Sequence, residues 1–206
     1  MTGSSDTLDL FDWRRRVVDL YAGIRAGDDP RAAWAEWRAV RDELLRGHPQ
    51  SPIPEERRAA FGGASYFPYE PATRVLAEVR DAEPEHFDAQ GSAGESFAFI
   101  RFATARFALG GEDLTLGLYW MDGYAGGLFL SFRDDTSGKE TYGAGRYLFD
   151  TMKGADLGSE GERLILDFNF AYNPSCSYDP RWACPLAPPD NWLGVPVRAG
   201  ERTPSG

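Results

Sequence analysis

Apolar residues recur at helical spacing in two stretches near the N-terminus. The sequence between these stretches is Gly27-Asp28-Asp29-Pro30, which predicts the end of one helix and the start of the next. Asp29 is placed to cap the second helix, and Pro30 suits its first turn because a proline there gives up no needed N–H. The apolar positions of these two helices, over residues 8–26 and 30–47, are Leu10, Trp13, Val17, Leu20, Tyr21, Ile24, Trp34, Trp37, Val40, Leu44 and Leu45.

Beyond Gly62-Gly63 the pattern changes to an alternation of period two, which predicts β-strands. Polar, glycine-containing stretches at 110–113 and 134–140 indicate hairpins, and the polar residues 83–94 predict a loop. The predicted strands lie within 65–79 and at 96–109, 114–121, 128–132, 141–149 and 163–173.

The end of the chain predicts irregular structure. Residues 174–191 contain five prolines and both cysteines, so we expect an ordered loop there. Residues 193–198 predict a short edge strand, because Pro196 lacks the N–H that a central strand needs.

These elements predict a mainly β (α+β) fold. Several short strands at hairpin spacing favour an antiparallel β-sandwich or a partly closed β-barrel, with the two N-terminal helices packed on it. A length of 206 residues favours one globular domain, made of a helical segment (1–60) and a β domain (61–206).

The net charge is −10, and nearly all of it arises after residue 60. No cluster of lysine and arginine matches a phosphate backbone, so we expect no nucleic-acid partner. No signal peptide or apolar span is visible, which favours a soluble, cytoplasmic protein without a membrane partner and with reduced cysteines. Only two histidines are present, and no motif requires a metal, a nucleotide or a flavin, so any cofactor is unknown.

One face of the predicted strand 163–173 is polar. Asp167, Asn169 and Asn173 alternate along it, although aspartate and asparagine are poor strand residues. We expect strand 141–149 to pair with this strand and to add Tyr142 and Arg146 to the same face. Arg146 then has two interpretations, a structural ion pair with Asp167 or a free anchor for an anionic ligand.

Cys176 follows this polar strand directly. A thiolate is a competent nucleophile if its surroundings lower its pKa. Three alternatives stay open: a buried thiol, a bridge to Cys184, and a reactive cysteine.

The sequence resembles a bacterial and archaeal family known as domain of unknown function 1684. The resemblance rests on two long motifs, residues 132–148 and 166–176, and on Cys184-Pro185-Leu186, Pro188-Pro189 and Asn191. Ser131 and Ala64 depart from the usual pattern, in which proline and leucine are common. The resemblance brings no known reaction. It implies that the polar positions above belong to the family's motif: Thr141, Tyr142, Gly145, Arg146, Asp167, Asn169, Tyr172, Asn173, Cys176 and Cys184.

Two hypotheses for function follow. In the first, a small and anionic molecule binds in a pocket on the β domain lined by Tyr142, Arg146, Asn169, Tyr172 and Asn173. If the protein is an enzyme, Cys176 or Asp167 carries a hydrolytic or acyl-transfer reaction. In the second, the same residues form a buried hydrogen-bond network, and the protein acts through a protein partner.

Overall fold

Two long helices begin the chain, as their apolar spacing predicts. In the computed structural model, which describes residues 3–124 and 126–204, α1 spans Ser4–Ala26 and α2 spans Pro30–Gly47. The Asp29 side chain caps α2 by accepting hydrogen bonds from the backbone N–H groups of Arg31 and Ala32. A single helical turn, α3 (Glu55–Arg58), follows. Among the described helices, none combines the length and the hydropathy that crossing a membrane requires.

The strands in the described ranges form one antiparallel sheet in the order β5-β4-β3-β2-β1-β7-β6. The prediction of a mainly β domain with N-terminal helices is confirmed. The edge strands β5 and β6 do not pair with each other, so the sheet is open and is not a closed barrel. The strands are β1 (Arg74–Gln90), β2 (Ser96–Leu109), β3 (Glu112–Met121), β4 (Gly127–Phe132), β5 (Arg146–Asp150), β6 (Ser159–Glu160) and β7 (Arg163–Asp167).

The predicted loop at 83–94 is wrong for most of its length, because β1 continues to Gln90. The second half of β1 pairs with β2, for example Phe87 with Phe99, after a shift of register between Asp81 and Glu85. Most side chains in this half of β1 are exposed, so neither face carries an apolar pattern. A period-two search therefore cannot detect it.

The strand predicted at 163–173 is also too long. It ends as β7 at Asp167 and continues as a 3-10 turn, Phe168–Phe170. The predicted strand at 141–149 begins only at Arg146, and it pairs with β4 instead of β7. The backbones of the two motifs still pair at an isolated bridge between Tyr147 and Tyr172.

Residues 193–198 form no strand, contrary to the prediction. This segment runs as an extended coil against the main core, where Leu193, Val197 and Ala199 are buried against the sheet. Gly200 has φ +74°, and a Cβ there would lie 2.5 Å from the carbonyl oxygen of Ala171. The close approach seats the C-terminal segment on the turn after β7. A second apolar cluster joins α1 and α2 to residues 155–172.

Candidate functional site

Arg146 lies in a closed network under the sheet. Its guanidinium is 1% exposed and donates to Asp134 Oδ2 at 2.8 Å and to the Val197 carbonyl at 2.9 Å. It also donates to the carbonyls of Ala199 and Glu201. Burial lowers the pKa of Arg146, and the charge of Asp134 opposes that effect. The guanidinium is thus enclosed by acceptors of the protein itself.

The partner of Arg146 is Asp134, and the expected pair with Asp167 is wrong. Asp134 Oδ1 in turn accepts from the backbone N–H and the hydroxyl of Thr136, at 2.7 and 2.5 Å. Of the two interpretations of Arg146, the structure supports a structural ion pair, formed with Asp134 instead of Asp167. Eleven residues lie between the partners, all within the 132–148 motif, and the turns at 135–145 bring the partners together.

Asp167 and Asn169 form a second, separate network at the end of β7. Asp167 Oδ1 accepts from the backbone N–H of Asn169 at 3.0 Å and from its side-chain amide at 2.8 Å. The Asn169 amide also bonds both backbone groups of Glu70 and the Thr73 hydroxyl. Within the described residues, Asp167 Oδ2 is buried and has no hydrogen-bond partner. Burial raises the pKa of this carboxyl.

A cavity of about 80 Å³ lies between the helix pair and the second motif. We call it the helix–sheet cavity. Its helix side is mostly apolar, and its opposite side carries the polar end of the 166–176 motif together with Cys184. The lining residues are Trp13, Val17, Leu20, Tyr21, Trp37, Arg41, Leu44, Leu45, Pro52, Tyr147, Lys153, Ala155, Tyr172, Asn173, Pro174, Ser175 and Cys184.

Two of the predicted site residues line this cavity. The backbone of Tyr172 pairs with Tyr147 through hydrogen bonds of 2.9 and 3.1 Å, which fixes its position. Asn173 donates from its side chain to the Arg202 carbonyl at 2.8 Å. Its Oδ1 is buried, and no hydrogen-bond partner for it exists among the described residues. Asn173, a residue of the cavity wall, therefore carries a buried acceptor that is not used.

Two cations also border the cavity, each beside one carboxylate. Lys153 Nζ lies 2.6 Å from Asp150 Oδ2, and its side chain is half exposed. Arg41 binds the buried Glu201 carboxylate, with 3.1 Å between Nη2 and Oε2, and its guanidinium lies over the Tyr172 ring. The same oxygen, Glu201 Oε2, also accepts from the backbone N–H of Asn173 at 2.6 Å.

The two cysteines are buried, free and adjacent to Tyr142. The Tyr142 hydroxyl lies 3.7 Å from Cys176 Sγ. Hydrogen bonding with the neighbouring Cys184 thiol lowers the pKa of Cys176 to about 6; the Ser92 and Tyr142 hydroxyls add to this, and burial opposes it. The same interaction raises the pKa of Cys184. Of the three alternatives for Cys176, the bridge is absent from this structure.

The predicted site residues therefore divide into four groups. Arg146 and the Asp167–Asn169 pair lie in separate buried networks, whereas Tyr142 and Cys176 meet Cys184. Tyr172 and Asn173 line the helix–sheet cavity, and Cys184 links the last two groups because it borders the same cavity. Within residues 3–124 and 126–204, no three His, Cys, Asp or Glu side chains converge in a way that could hold a metal ion.

Sequence reasoning missed Arg41 and Lys153, which line the cavity, and Glu201, which pairs with Arg41. One signal was present, because Arg41 interrupts the apolar stripe of α2 between Trp37 and Leu44. A charged residue on a buried helix face needs a partner. Nothing in the sequence identifies Glu201 as that partner.

Residues 59–202 match the family described as protein of unknown function (DUF1684). The chain belongs to the DUF1684 family. A solution NMR structure of an uncharacterised protein of this kind of fold, from gene locus rrnAC0354 of Haloarcula marismortui, is 38% identical in sequence. It superposes with a TM-score of 0.60 and covers 84% of this chain and 94% of the archaeal chain. No protein of curated function matches the sequence.

The DUF1684 match starts after α2, so it includes only one wall of the cavity. Tyr172, Asn173, Ser175 and Cys184 lie inside the matched range, and the apolar wall on α1 and α2 precedes it. In this DUF1684 protein the helix pair therefore closes a cavity over the family's own motif.

Proposed function

We propose that this protein binds a small organic anion with an apolar body in the helix–sheet cavity. The observation that carries the proposal is the pairing of an apolar helix wall with a polar wall on which Asn173 Oδ1 has no partner among the described residues. Ligand pockets combine mostly apolar walls with a few convergent polar groups in this way. The closed Arg146 network takes no part in the proposal.

The size of the cavity limits the ligand class. A volume of about 80 Å³ holds a few water molecules or the body of a short carboxylic acid. Cavities for drug-sized ligands are several times larger. We therefore propose a short aliphatic or aromatic carboxylate instead of a nucleotide.

The charges at the rim favour an anionic head group. Lys153 is half exposed and has donors beyond the one facing Asp150, so a carboxylate can share it. A hydroxyl group on the body of the ligand would donate to Asn173 Oδ1, because the ionised carboxylate itself only accepts hydrogen bonds. Cys176 is absent from the cavity lining described above, so the proposed activity is binding and not acyl transfer.

Native mass spectrometry of the freshly purified protein tests the proposal. We expect a mass excess that disappears on denaturation, or, with the bare chain, a rise in the melting temperature on adding aliphatic carboxylates from acetate to octanoate. Leu20→Trp fills the cavity and should abolish either effect. Leu8→Trp is the control, because it makes the same change on the same helix at a residue that is 66% exposed.

A second pair of variants separates loss of binding from loss of folding. The chain has only two lysines, and Lys139 is exposed and outside the cavity lining. Lys153→Gln should weaken carboxylate binding, and Lys139→Gln should leave it unchanged. A bare chain that no carboxylate stabilises, or equal effects of the two lysine variants, would overturn the proposal.

The hypothesis of a structural network with a protein partner finds its support at other residues. Asn169 is buried and hydrogen-bonded through both its side-chain oxygen and its side-chain nitrogen, and the two terminal nitrogens of Arg146 are likewise bonded, although Arg146 Nε has no partner among the described residues. The two hypotheses thus concern different parts of the motif.

A further inference from the structure

The proposed binding of a carboxylate in the cavity makes no use of two nucleophilic groups, the thiols of Cys176 and Cys184. They lie on two separate turns, Cys176 in the 3-10 turn Ser175–Ser177 and Cys184 eight positions later. Both are 7% exposed and both are free. Two thiols placed side by side in this way differ from a lone buried cysteine, because each is the nearest reaction partner of the other.

The surroundings hold this pair in place. The Ser92 hydroxyl accepts from the backbone N–H of Cys184 at 3.1 Å and donates to the Trp182 carbonyl at 2.8 Å. The backbone N–H of Ser92 donates to the Cys184 carbonyl at 3.0 Å. On the other side, the Tyr142 hydroxyl contacts Cys176 Sγ at 3.7 Å. The turn after β1 therefore fixes the backbone of Cys184, and the 132–148 motif contacts the sulfur of Cys176, both from outside the loop that carries the cysteines.

From this arrangement we propose that Cys176 and Cys184 form a dithiol that reduces a hydroperoxide and becomes a disulfide. Cys176 is the attacking thiol, since the Tyr142 hydroxyl and the Cys184 thiol both stabilise negative charge on its sulfur. Cys184 is the resolving thiol. Cys184 lines the helix–sheet cavity and Cys176 does not, so the proposed path of a small peroxide runs through this cavity and past Cys184 to Cys176.

The reaction balances in two steps. The Cys176 thiolate attacks the outer peroxide oxygen, the O–O bond breaks, and the departing alkoxide takes a proton from solvent to become an alcohol. The resulting sulfenic acid is attacked by the Cys184 sulfur, which forms the S–S bond and breaks the S–O bond. The hydroxide that leaves takes the Cys184 proton and becomes water. Two thiols lose two electrons, and the peroxide gains them.

Trypsin digestion reads out the product directly. Arg181 lies between the two cysteines, so cleavage after Arg163, Arg181 and Arg198 places Cys176 in peptide 164–181 and Cys184 in peptide 182–198. After treatment with an equivalent of hydrogen peroxide and without reductant, we expect these peptides to be joined and to weigh two hydrogens less than their sum. Dithiothreitol should separate them.

Variants assign the two roles. In Cys184→Ser the joined peptide should be lost, and a sulfenic acid at Cys176 should be trapped by a cyclic 1,3-dione such as dimedone. In Cys176→Ser neither product should form at that peroxide concentration. Tyr142→Phe should slow trapping while circular dichroism shows an unchanged fold. Two thiols that stay reduced, or that are oxidised independently without joining the peptides, would overturn the proposal.

Discussion

Arg146 shows how a single side chain can determine the local structure. A guanidinium that is 1% exposed has lost its water, and it is stabilised here by one carboxylate and three backbone carbonyls. The carbonyls come from Val197, Ala199 and Glu201, so the arginine also sets the path of the C-terminal segment. Breaking a buried pair by removing one partner is costly because the other charge stays buried and unpaired.

We therefore expect Arg146→Met to lower the free energy of unfolding by about 3–5 kcal/mol. Arg198→Met is the control: Arg198 is 61% exposed in its pair with Glu140, and such surface pairs contribute about 0–1 kcal/mol. Urea titration of both variants measures the difference. A loss below that of the control would show that the ion pair does not stabilise the fold. Adding Asp134→Leu to Arg146→Met should recover part of the stability.

Asp167 is a buried carboxyl whose pKa is raised by burial. A carboxyl that ionises less readily in the folded chain than in the unfolded chain costs stability as it ionises. That cost is absent below the unfolded pKa of about 3.9 and complete above the raised folded pKa.

Asp167→Asn removes the charge and keeps an oxygen for the Asn169 N–H groups. We expect the stability of this variant, relative to the wild type, to improve as the pH rises from about 4 to 7. Urea titrations at several pH values in this range provide the measurement. A difference that stays constant, or that changes in the opposite direction, would contradict a raised pKa.

At the scale of elements, local chemistry explains both the successes and the errors of prediction from sequence. The helix pair was predictable because its stripes and its Asp29–Pro30 start are local signals. The strand at 163–173 was predicted too long because the alternation of apolar and polar residues continues past its end. The Asp167 side chain accepts a hydrogen bond from the Asn169 N–H, and the backbone forms a turn there instead of continuing the strand. The outer half of β1 was missed because pairing with β2, and not burial, holds it in the sheet.

The start of α2 gives a test at this scale. Asp29→Ala removes the acceptor for two backbone N–H groups and should cost about 1 kcal/mol of stability. Asp28→Ala, one position earlier, removes an exposed carboxylate that caps nothing in the structure described above and should cost much less. Thermal unfolding followed by circular dichroism compares the two. Equal losses would mean that charge, and not the cap, stabilises this helix end.

At the scale of the whole molecule, the candidate site depends on contacts between distant segments. The sequence indicated which residues are polar, and the family resemblance grouped them, but neither gave their partners. Arg41 on α2 meets Glu201 near the end of the described chain, and this pair joins the helices to the motif. No periodic sequence pattern indicates a contact between two such distant residues. Hence the polar residues were predictable, whereas their division into two networks, a cavity and a thiol pair was not.

The role of residues 197–201 has a consequence for biosynthesis. These residues supply three carbonyl acceptors to Arg146 and the carboxylate that binds Arg41, so Arg146 has only Asp134, and Arg41 lacks its carboxylate, until residues 197–201 have been synthesised. The sheet and the helix pair can emerge from the ribosome earlier, but the hydrogen bonds of their buried arginines stay incomplete until this short stretch follows. Translation therefore delivers this stabilising segment after the helices and the sheet, and a truncated product that stops before residue 197 would be a substrate for chaperones and proteases.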